Sequence, residues 1–170
     1  MKCIAKITDK DILGTDGLSH KSPRVTARAI LKNPNNVFAV MFSEKFNLYS
    51  LPGGGVEEGE DVTTAIQREI WEETGCIITS MQPLGYVEEN RAHCDYTQID
   101  YYFVLETNDL NLIPHLTENE RKNKTTVMWL NADAMYRHIA TPKHDTNQRK
   151  FLQARDVAAL NYYFTTISKK

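Results

Sequence analysis

The sequence is poor in cysteine and has no long apolar run. Its three cysteines, Cys3, Cys76 and Cys94, are an odd number without C-x-x-C spacing. This pattern excludes a disulfide framework and a zinc site built on cysteine pairs, and it favours reduced thiols. No apolar stretch approaches the roughly 18 residues that a membrane span needs, and residues 1–6 lack the apolar core of a signal peptide. We therefore expect a cytoplasmic protein that does not bind membranes.

Net charge is also nearly absent. The 170 residues carry 20 Lys and Arg against 22 Asp and Glu, a formal net charge of −2. This balance excludes a protein whose whole surface is a basic nucleic-acid-binding field, so we expect no stable nucleic-acid partner. No repeat, low-complexity segment or linker-like stretch is visible. Length and composition, with 41% hydrophobic residues, predict a single domain over residues 1–170.

The small net charge hides an uneven distribution. Residues 57–73 contain seven acids and one base, a net charge of −6. The rest of the chain then has 19 bases and 15 acids, a net charge of +4, which would help to hold a polyanionic substrate. An acidic run is usually a solvated helix face. The spacing of these acids favours a metal site instead, for the reasons given below.

Hydrophobic periodicity and turn residues predict alternating strands and helices. The predicted strands are 24–31, 36–42, 47–51, 77–79, 85–88, 99–106 and 125–130, with the first three forming a meander. The predicted helices are 61–74, 131–138 and about 146–164, and the polar segment 108–124 is predicted as a loop. Asp61 is expected to cap the first helix and Gly75 to follow its last turn. This order predicts an α+β fold, a mixed sheet with helices on its faces.

Three glutamates crowd one arc of the helix predicted at 61–74. Glu69 and Glu73 are one turn apart, and Glu72 lies within about 60° of Glu69 around the helix axis. Like charges this close repel one another unless a cation neutralises them. Carboxylate oxygens are hard ligands that suit Mg²⁺ or Mn²⁺. The spacing therefore predicts a divalent metal site on this helix.

Three glycines and one arginine lie close to these acids. Residues 53–55 are all glycine, so the backbone there can approach a ligand closely. A simple turn is the alternative explanation, but the neighbouring acidic helix favours one wall of the metal site. Arg68 is expected to orient Glu60 or Glu69 through paired hydrogen bonds and not to bind substrate.

These residues form one continuous pattern, Gly54-x5-Glu60-x7-Arg68-Glu69-Ile70-x-Glu72-Glu73-x-Gly75-Cys76. The pattern resembles the box of the Nudix hydrolases (MutT-like proteins), G-x5-E-x7-R-E-U-x-E-E-x-G-U, where U is aliphatic. All seven fixed residues match, and Cys76 at the last aliphatic position is a small, buriable departure. The box, residues 54–76, covers about a seventh of the chain. The resemblance implies a single Nudix-like domain, a mixed sheet in an α/β/α sandwich.

The resemblance also implies an activity and a metal. A Nudix-type pyrophosphohydrolase uses an activated water to cleave a phosphoanhydride bond in a nucleoside diphosphate linked to another moiety. The ion is expected to be Mg²⁺ or Mn²⁺, with no organic cofactor. The expected metal ligands are Glu69, Glu72, Glu73 and the carbonyl oxygen of Gly54.

The candidate catalytic residues are Glu69, Arg68, Glu118 and Glu120. Glu118 and Glu120 lie in a segment that resembles the loop by which several Nudix enzymes bring an extra glutamate to the metal or the water, and a solvated polar loop is the alternative. The general base stays open among the three glutamates. The rival hypothesis is a non-catalytic nucleotide-binding sensor with a Nudix-like fold. The physiological substrate and a homodimeric state are left open.

Overall fold

The computed structural model describes residues 1–108 and 113–167, so part of the loop predicted at 108–124 lies outside the described residues. The strands are β1 (Cys3–Thr8), β2 (Arg24–Lys32), β3 (Phe38–Ser43), β4 (Leu48–Ser50), β5 (Gly53–Gly55), β6 (Ser80–Arg91), β7 (Tyr96–Glu106) and β8 (Thr125–Leu130). The helices are α1 (Asp9–Leu13), α2 (Val62–Thr74), α3 (Glu118–Lys122), α4 (Ala132–Ala140) and α5 (Asn147–Tyr162). The predicted α+β class is confirmed.

The strands form one mixed sheet in the order β1-β6-β7-β2-β3-β4, with β5 paired to β2 and β8 paired to β3. The pairs β1–β6 and β2–β7 are parallel, and the other pairs are antiparallel. The short strand β5 is built of three glycines and runs beside the start of β2, with Gly54 opposite Ala27. This pairing fixes the glycines at the sheet before the chain enters α2.

Side chains of β2 alternate between two hydrophobic cores, as the pleat of a strand requires. Ala27, Ala29 and Leu31 belong to the core that also contains Ile66 of α2. Ile30 faces the opposite core, which contains residues of α5. Helix α2 therefore covers one face of the sheet and α5 covers the other.

The predicted helix at 61–74 is confirmed with both of its ends. The Asp61 carboxylate accepts hydrogen bonds from the backbone N–H groups of Thr63 and Thr64 at 2.9 and 2.7 Å. Gly75 has a left-handed φ of 72° and its N–H bonds to the carbonyl of Trp71, which ends the helix. Local signals suffice here because both caps lie within the element that they close.

Two sequence predictions about other elements are wrong. The segment 77–79 is no strand, because it is joined to the end of the sheet only by separate hydrogen bonds such as Thr79 N–H to the Glu106 carbonyl at 2.8 Å, and β6 begins at Ser80. The segment 108–124 contains α3, which the capping box between Thr117 and Glu120 starts. Among the described residues, no helix has the length and apolarity needed to cross a bilayer.

Candidate functional site

The site is built where the glycine strand β5 meets one side of α2. The Asp61 cap and the Gly75 end fix the length of the helix, and its apolar residues Ala65, Ile66 and Ile70 fix its rotation against the sheet. Hydrogen bonds from Thr63 and Thr64 to the Asp61 carboxylate lower its pKa to about 2, so the cap is ionised at neutral pH. This placement of α2 brings Glu69 and Glu73 into contact with β5.

Glu73 is buried and is bonded to the glycine strand. Its Oε2 accepts a hydrogen bond from the backbone N–H of Gly53 at 2.6 Å. Burial raises the pKa of Glu73 well above its usual value, and the Gly53 hydrogen bond opposes this only in part. The site therefore holds a carboxylate that a nearby positive charge would stabilise.

Glu69 lies directly against Gly54. A Cβ atom at position 54 would be 2.4 Å from Oε1 of Glu69 and 2.6 Å from its Cδ, so only glycine leaves room for this carboxylate. Burial raises the pKa of Glu69, although a hydrogen bond from Arg68 to its Oε1 at 2.9 Å acts in the opposite direction. Gly54 and Glu69 thus meet in the structure, as the predicted metal site requires.

Arg68 braces the acidic side of the helix. Its Nε and Nη2 form a fork on Glu60, with distances of 2.8 and 3.0 Å, and Nη2 also donates to the Gly55 carbonyl at 2.9 Å. Its Nη1 donates to Glu69 and, at 3.2 Å, to Glu72. The Arg68 hydrogen bonds lower the pKa of Glu60 to about 2. Arg68 therefore orients carboxylates, and its nitrogens are occupied by protein oxygens.

The two loop acids, Glu118 and Glu120, have different partners. Glu120 caps α3, where its Oε2 accepts hydrogen bonds from the N–H and the hydroxyl of Thr117, each at 2.7 Å. It is close enough to contribute to the raised pKa values of Glu69 and Glu73, after the larger effect of burial. Glu118 is exposed and pairs with Lys122 at 2.8 Å. Of these two candidates, only Glu120 has a charge that acts on the pKa values of Glu69 and Glu73.

The carboxylates of Glu69, Glu72 and Glu73 are suitable ligands for a divalent cation. Glu69 and Glu73 carry raised pKa values because they are buried next to other acids, and a cation would remove the cost of charging them. In residues 1–108 and 113–167, however, no three His, Cys, Asp or Glu side chains are already arranged as ligands of one ion. Glu69 and Glu72 are bonded to Arg68 instead. Each of these bonds uses one oxygen of its carboxylate, Oε1 of Glu69 and Oε2 of Glu72, so the other oxygen of each is not bonded to Arg68.

A second group of charged side chains, which was not predicted from the sequence, lies on the α5 face of the sheet. Asp100 is fully buried and accepts hydrogen bonds from Arg28 at 2.9 Å and Arg155 at 3.0 Å. Glu89, also buried, pairs with Arg91. The available signal was the period-2 placement of Arg24, Thr26 and Arg28 on β2 and of Gln98 and Asp100 on β7, which puts each set on one face.

Known proteins provide an independent comparison. A NUDIX domain family model matches residues 22–154. The chain is similar to Nudix hydrolase 7 of Arabidopsis thaliana, with 36% identity over 70 residues. That match covers 39% of this chain and 25% of the plant protein, so the chain matches only a quarter of this relative's length.

Solved structures share the fold at low sequence identity. A NUDIX hydrolase from Nitrosomonas europaea aligns with a TM-score of 0.62 and 18% identity, over 85% of this chain and 90% of that one. A MutT structure from work on Aliivibrio salmonicida and Vibrio cholerae aligns with a TM-score of 0.50 and 22% identity, over 77% of this chain and 96% of that one. At these identities the likeness concerns the fold alone.

Proposed function

Since this chain belongs to the NUDIX family, we propose that it cleaves a phosphoanhydride bond in a nucleoside diphosphate linked to another moiety, using a divalent metal ion and water. The family predicted from the box is confirmed, and with it the class of Nudix-type hydrolases. The substrate and the metal dependence belong to the proposal.

One observation carries the proposal, namely the docking of two box acids onto the glycine strand. Glu73 accepts a hydrogen bond from the Gly53 N–H, and the Glu69 carboxylate fills the space in which Gly54 has no side chain. Glu120 adds a third negative charge whose effect reaches both acids. Buried like charges are costly unless a cation or a proton compensates them, and this arrangement supports a cation.

The residues that would hold the ion are Glu69, Glu72, Glu73 and the carbonyl of Gly54. Bound there, Mg²⁺ or Mn²⁺ would neutralise phosphate oxygens and lower the pKa of a water molecule. Arg68 would keep the carboxylates apart and oriented before the ion binds. Glu69 and Glu120 are the acids that this chain offers as proton acceptors for the attacking water, since Glu118 is exposed and paired with Lys122.

A non-catalytic sensor is the rival hypothesis, and a sensor could dispense with the acids of the box. Here all the box acids are retained, and two of them are buried or nearly so against the glycine strand. The membership of the NUDIX family and the retained acids favour the enzyme.

The proposal can be tested with a panel of nucleoside diphosphate derivatives in ¹⁸O-labelled water with Mg²⁺ or Mn²⁺. Mass analysis of the products identifies the substrate and the phosphorus atom that water attacks. We expect Glu73→Gln to lower kcat by about two orders of magnitude or more, because it removes a charged ligand. Glu58→Gln, in the exposed loop before the helix, removes the same charge and serves as the control.

Two results would contradict the proposal. The first is the absence of hydrolysis of every member of the panel, which favours the sensor. The second is a Glu73→Gln protein with wild-type turnover at saturating Mg²⁺, which would contradict the assignment of Glu73 as a metal ligand.

A further inference from the structure

A cavity lies on the α5 face of the sheet and is lined by arginine. Its volume is about 480 Å³, and the side chains of Arg24, Arg28, Arg91 and Arg155 all contribute to its wall. Tyr96 and Leu152 supply aromatic and apolar surface. No acidic residue lines it among the described parts of the chain. A molecule that entered this cavity would therefore meet positive charge on several sides.

Buried carboxylates lie behind the arginines and fix their positions. Asp100 accepts hydrogen bonds from Nε of Arg28 at 2.9 Å and from Nη1 of Arg155 at 3.0 Å. Glu89 accepts from Nε of Arg91 at 2.8 Å. Burial by itself would raise the pKa of Asp100, but the charges of Arg155 and Arg28 outweigh it and lower this pKa. Asp100 thus stays ionised, and its arginines stay oriented.

Two arginines, Arg24 and Arg91, keep donors available for a ligand. Arg24 is exposed and has no ion-pair partner in the described part of the chain. Arg91 bonds to Glu89 through Nε and Nη2, which leaves its Nη1 without a hydrogen bond there. Nε of the buried Arg155 has no hydrogen bond among the described residues but lies 3.5 Å from the Asp156 carboxylate, so the protein already compensates this donor. Arginine donors that are fixed and unfilled are what a multidentate anion requires.

The cavity is joined to the metal site through the glycine strand. Nη1 of Arg28 donates to the Gly53 carbonyl at 3.1 Å, and the N–H of the same glycine is bonded to Glu73. Two residues further along this strand, a Cβ atom at Gly55 would be 2.9 Å from Nη2 of Arg24. Arg24 and Arg28 therefore connect the wall of the cavity to the strand that contacts the box acids.

We infer that this cavity binds a phosphomonoester on the nucleoside of the substrate, in addition to the diphosphate that is cleaved. This inference rests on the proposed function, and it narrows the substrate class to nucleoside diphosphate derivatives with an extra ribose phosphate. A phosphomonoester has three terminal oxygens and about two negative charges, so several guanidinium groups can bind it at once. A carboxylate has two oxygens and one charge, which a single guanidinium group satisfies by a bidentate pair. A cavity of several hundred Å³ has room for the attached nucleoside beside Tyr96 and Leu152.

Binding can be measured without catalysis by calorimetry in the absence of metal. The probes are adenosine 2′,5′-bisphosphate, adenosine 3′,5′-bisphosphate and adenosine 5′-monophosphate. We expect one bisphosphate to bind about tenfold more tightly than the monophosphate, because its second phosphate makes charge-assisted hydrogen bonds. Arg24→Gln should reduce that preference to about twofold or less. Arg137→Gln, an equal loss of charge on α4, should leave the preference unchanged.

Steady-state kinetics with Mg²⁺ then separates this inference from the proposed function. The substrate pairs are NADP⁺ with NAD⁺, and coenzyme A with its 3′-dephospho form. We expect a lower KM for the phosphorylated member of one pair, and Arg24→Gln should raise that KM with little change in kcat.

Each result has a definite meaning. Hydrolysis with equal KM values and equal binding would overturn the phosphomonoester site and leave the proposed function intact. Weaker binding of all three adenosine probes to Arg24→Gln would also overturn it, since the arginines would then bind the 5′-phosphate. A binding preference without hydrolysis of any substrate would overturn the proposed function and support the site.

Discussion

At the scale of single residues, two adjacent glycines hold the two box acids in different ways. Gly53 has a φ of 129°, and a Cβ atom there would lie 2.2 Å from the carbonyl oxygen of Ala27 in β2. Its role is to let β5 approach the sheet. Gly54 faces the Glu69 carboxylate, and a Cβ atom there would meet a side chain that can move. A side chain at position 53 would therefore disturb the fold, whereas a side chain at position 54 would disturb the site.

Alanine substitutions should separate these two roles. We expect Gly53→Ala to lower the free energy of unfolding by about 2 kcal/mol or more, because the new side chain meets backbone atoms at a strained φ. Gly54→Ala should leave stability nearly unchanged and lower kcat by about 100-fold, because Glu69 must move away. Urea unfolding and steady-state kinetics measure the two effects.

Gly14→Ala provides the control for backbone strain. Gly14 has a φ of 73° and an added Cβ atom would meet nothing within 4 Å, so this change should cost about 1 kcal/mol of stability and no activity. Wild-type kcat in Gly54→Ala would contradict the contact between Gly54 and Glu69 as a part of the site.

The two loop acids give a second prediction at this scale. Glu120 acts on the pKa values of Glu69 and Glu73, whereas Glu118 is paired with Lys122 at the surface. We expect Glu120→Gln to lower kcat by about 10²-fold or more as a lost acid or base, and Glu118→Gln to change it less than about twofold. Parallel measurement of kcat under saturating Mg²⁺ compares two identical changes, two residues apart. An equal loss in both variants would show that the loop as a whole matters, and not the position of Glu120.

At the scale of elements, α2 is the unit that carries the chemistry. Its N-terminus is fixed by Asp61, whose carboxylate accepts from two backbone N–H groups and from the Thr63 hydroxyl. Its C-terminus is fixed by Gly75. Because Glu69, Glu72 and Glu73 lie on this one helix, we expect a change at its cap to affect these acids together.

Removal of this cap should therefore affect both stability and catalysis. We expect Asp61→Ala to lower the Tm by a few degrees and to raise the Mg²⁺ concentration needed for half-maximal activity, because the first turn of α2 frays. Asn131 caps α4 in the same manner, with its side chain accepting from the Ala134 N–H at 2.8 Å. Asn131→Ala should lower the Tm without changing the Mg²⁺ dependence. A shift of the Mg²⁺ dependence in both variants would contradict a specific role for the α2 cap.

The sequence predicts α2 well because its caps, its apolar stripe and its acids all lie within residues 61–75. The strand β8 is also found at Thr125–Leu130 as predicted. Predictions fail where long-range pairing decides. The segment 77–79 has strand-forming residues, but the ladder with β7 begins only at Ser80 opposite Glu106.

In the candidate site too, some contacts can be predicted from local sequence and others cannot. The contact of Gly54 with Glu69 follows from a spacing of fifteen positions that the box already contains. The arginine cavity joins Arg28, Asp100 and Arg155, which are 72 and 55 positions apart along the chain. No local pattern encodes such distances, so only the fold brings these residues together. The period-2 placement on β2 indicates a shared face but not what covers it.

At the scale of the whole molecule, Asp100 joins elements from both halves of the chain. From β7 it accepts hydrogen bonds from the Thr26 hydroxyl and Arg28 of β2 and from Arg155 of α5, at 2.5, 2.9 and 3.0 Å. A buried charge with several donors costs little when all of them are present. Removal of this charge leaves Arg28 without a carboxylate partner and Arg155 with only its longer contacts to Glu89 and Asp156, at 3.6 and 3.5 Å. Helix α5 is thus held on the sheet by ionic groups as well as by apolar packing.

The charge of Asp100 should therefore contribute to stability in a pH-dependent manner. Its pKa is lowered in the folded protein, so its contribution is present above the unfolded value of about 3.9 and is lost as the pH falls toward the folded value. We expect Asp100→Asn to lower the free energy of unfolding by about 3–5 kcal/mol near neutral pH. The difference between wild type and variant should shrink as the pH is lowered from about 5 to about 2, because the carboxyl of the unfolded wild-type chain is then protonated while that of the folded protein stays ionised. Urea unfolding across this range measures it, with Asp145→Asn, an exposed partner of Arg149, as the control. A difference that stays constant with pH would mean that the shape of the side chain, and not its charge, holds β2, β7 and α5 together.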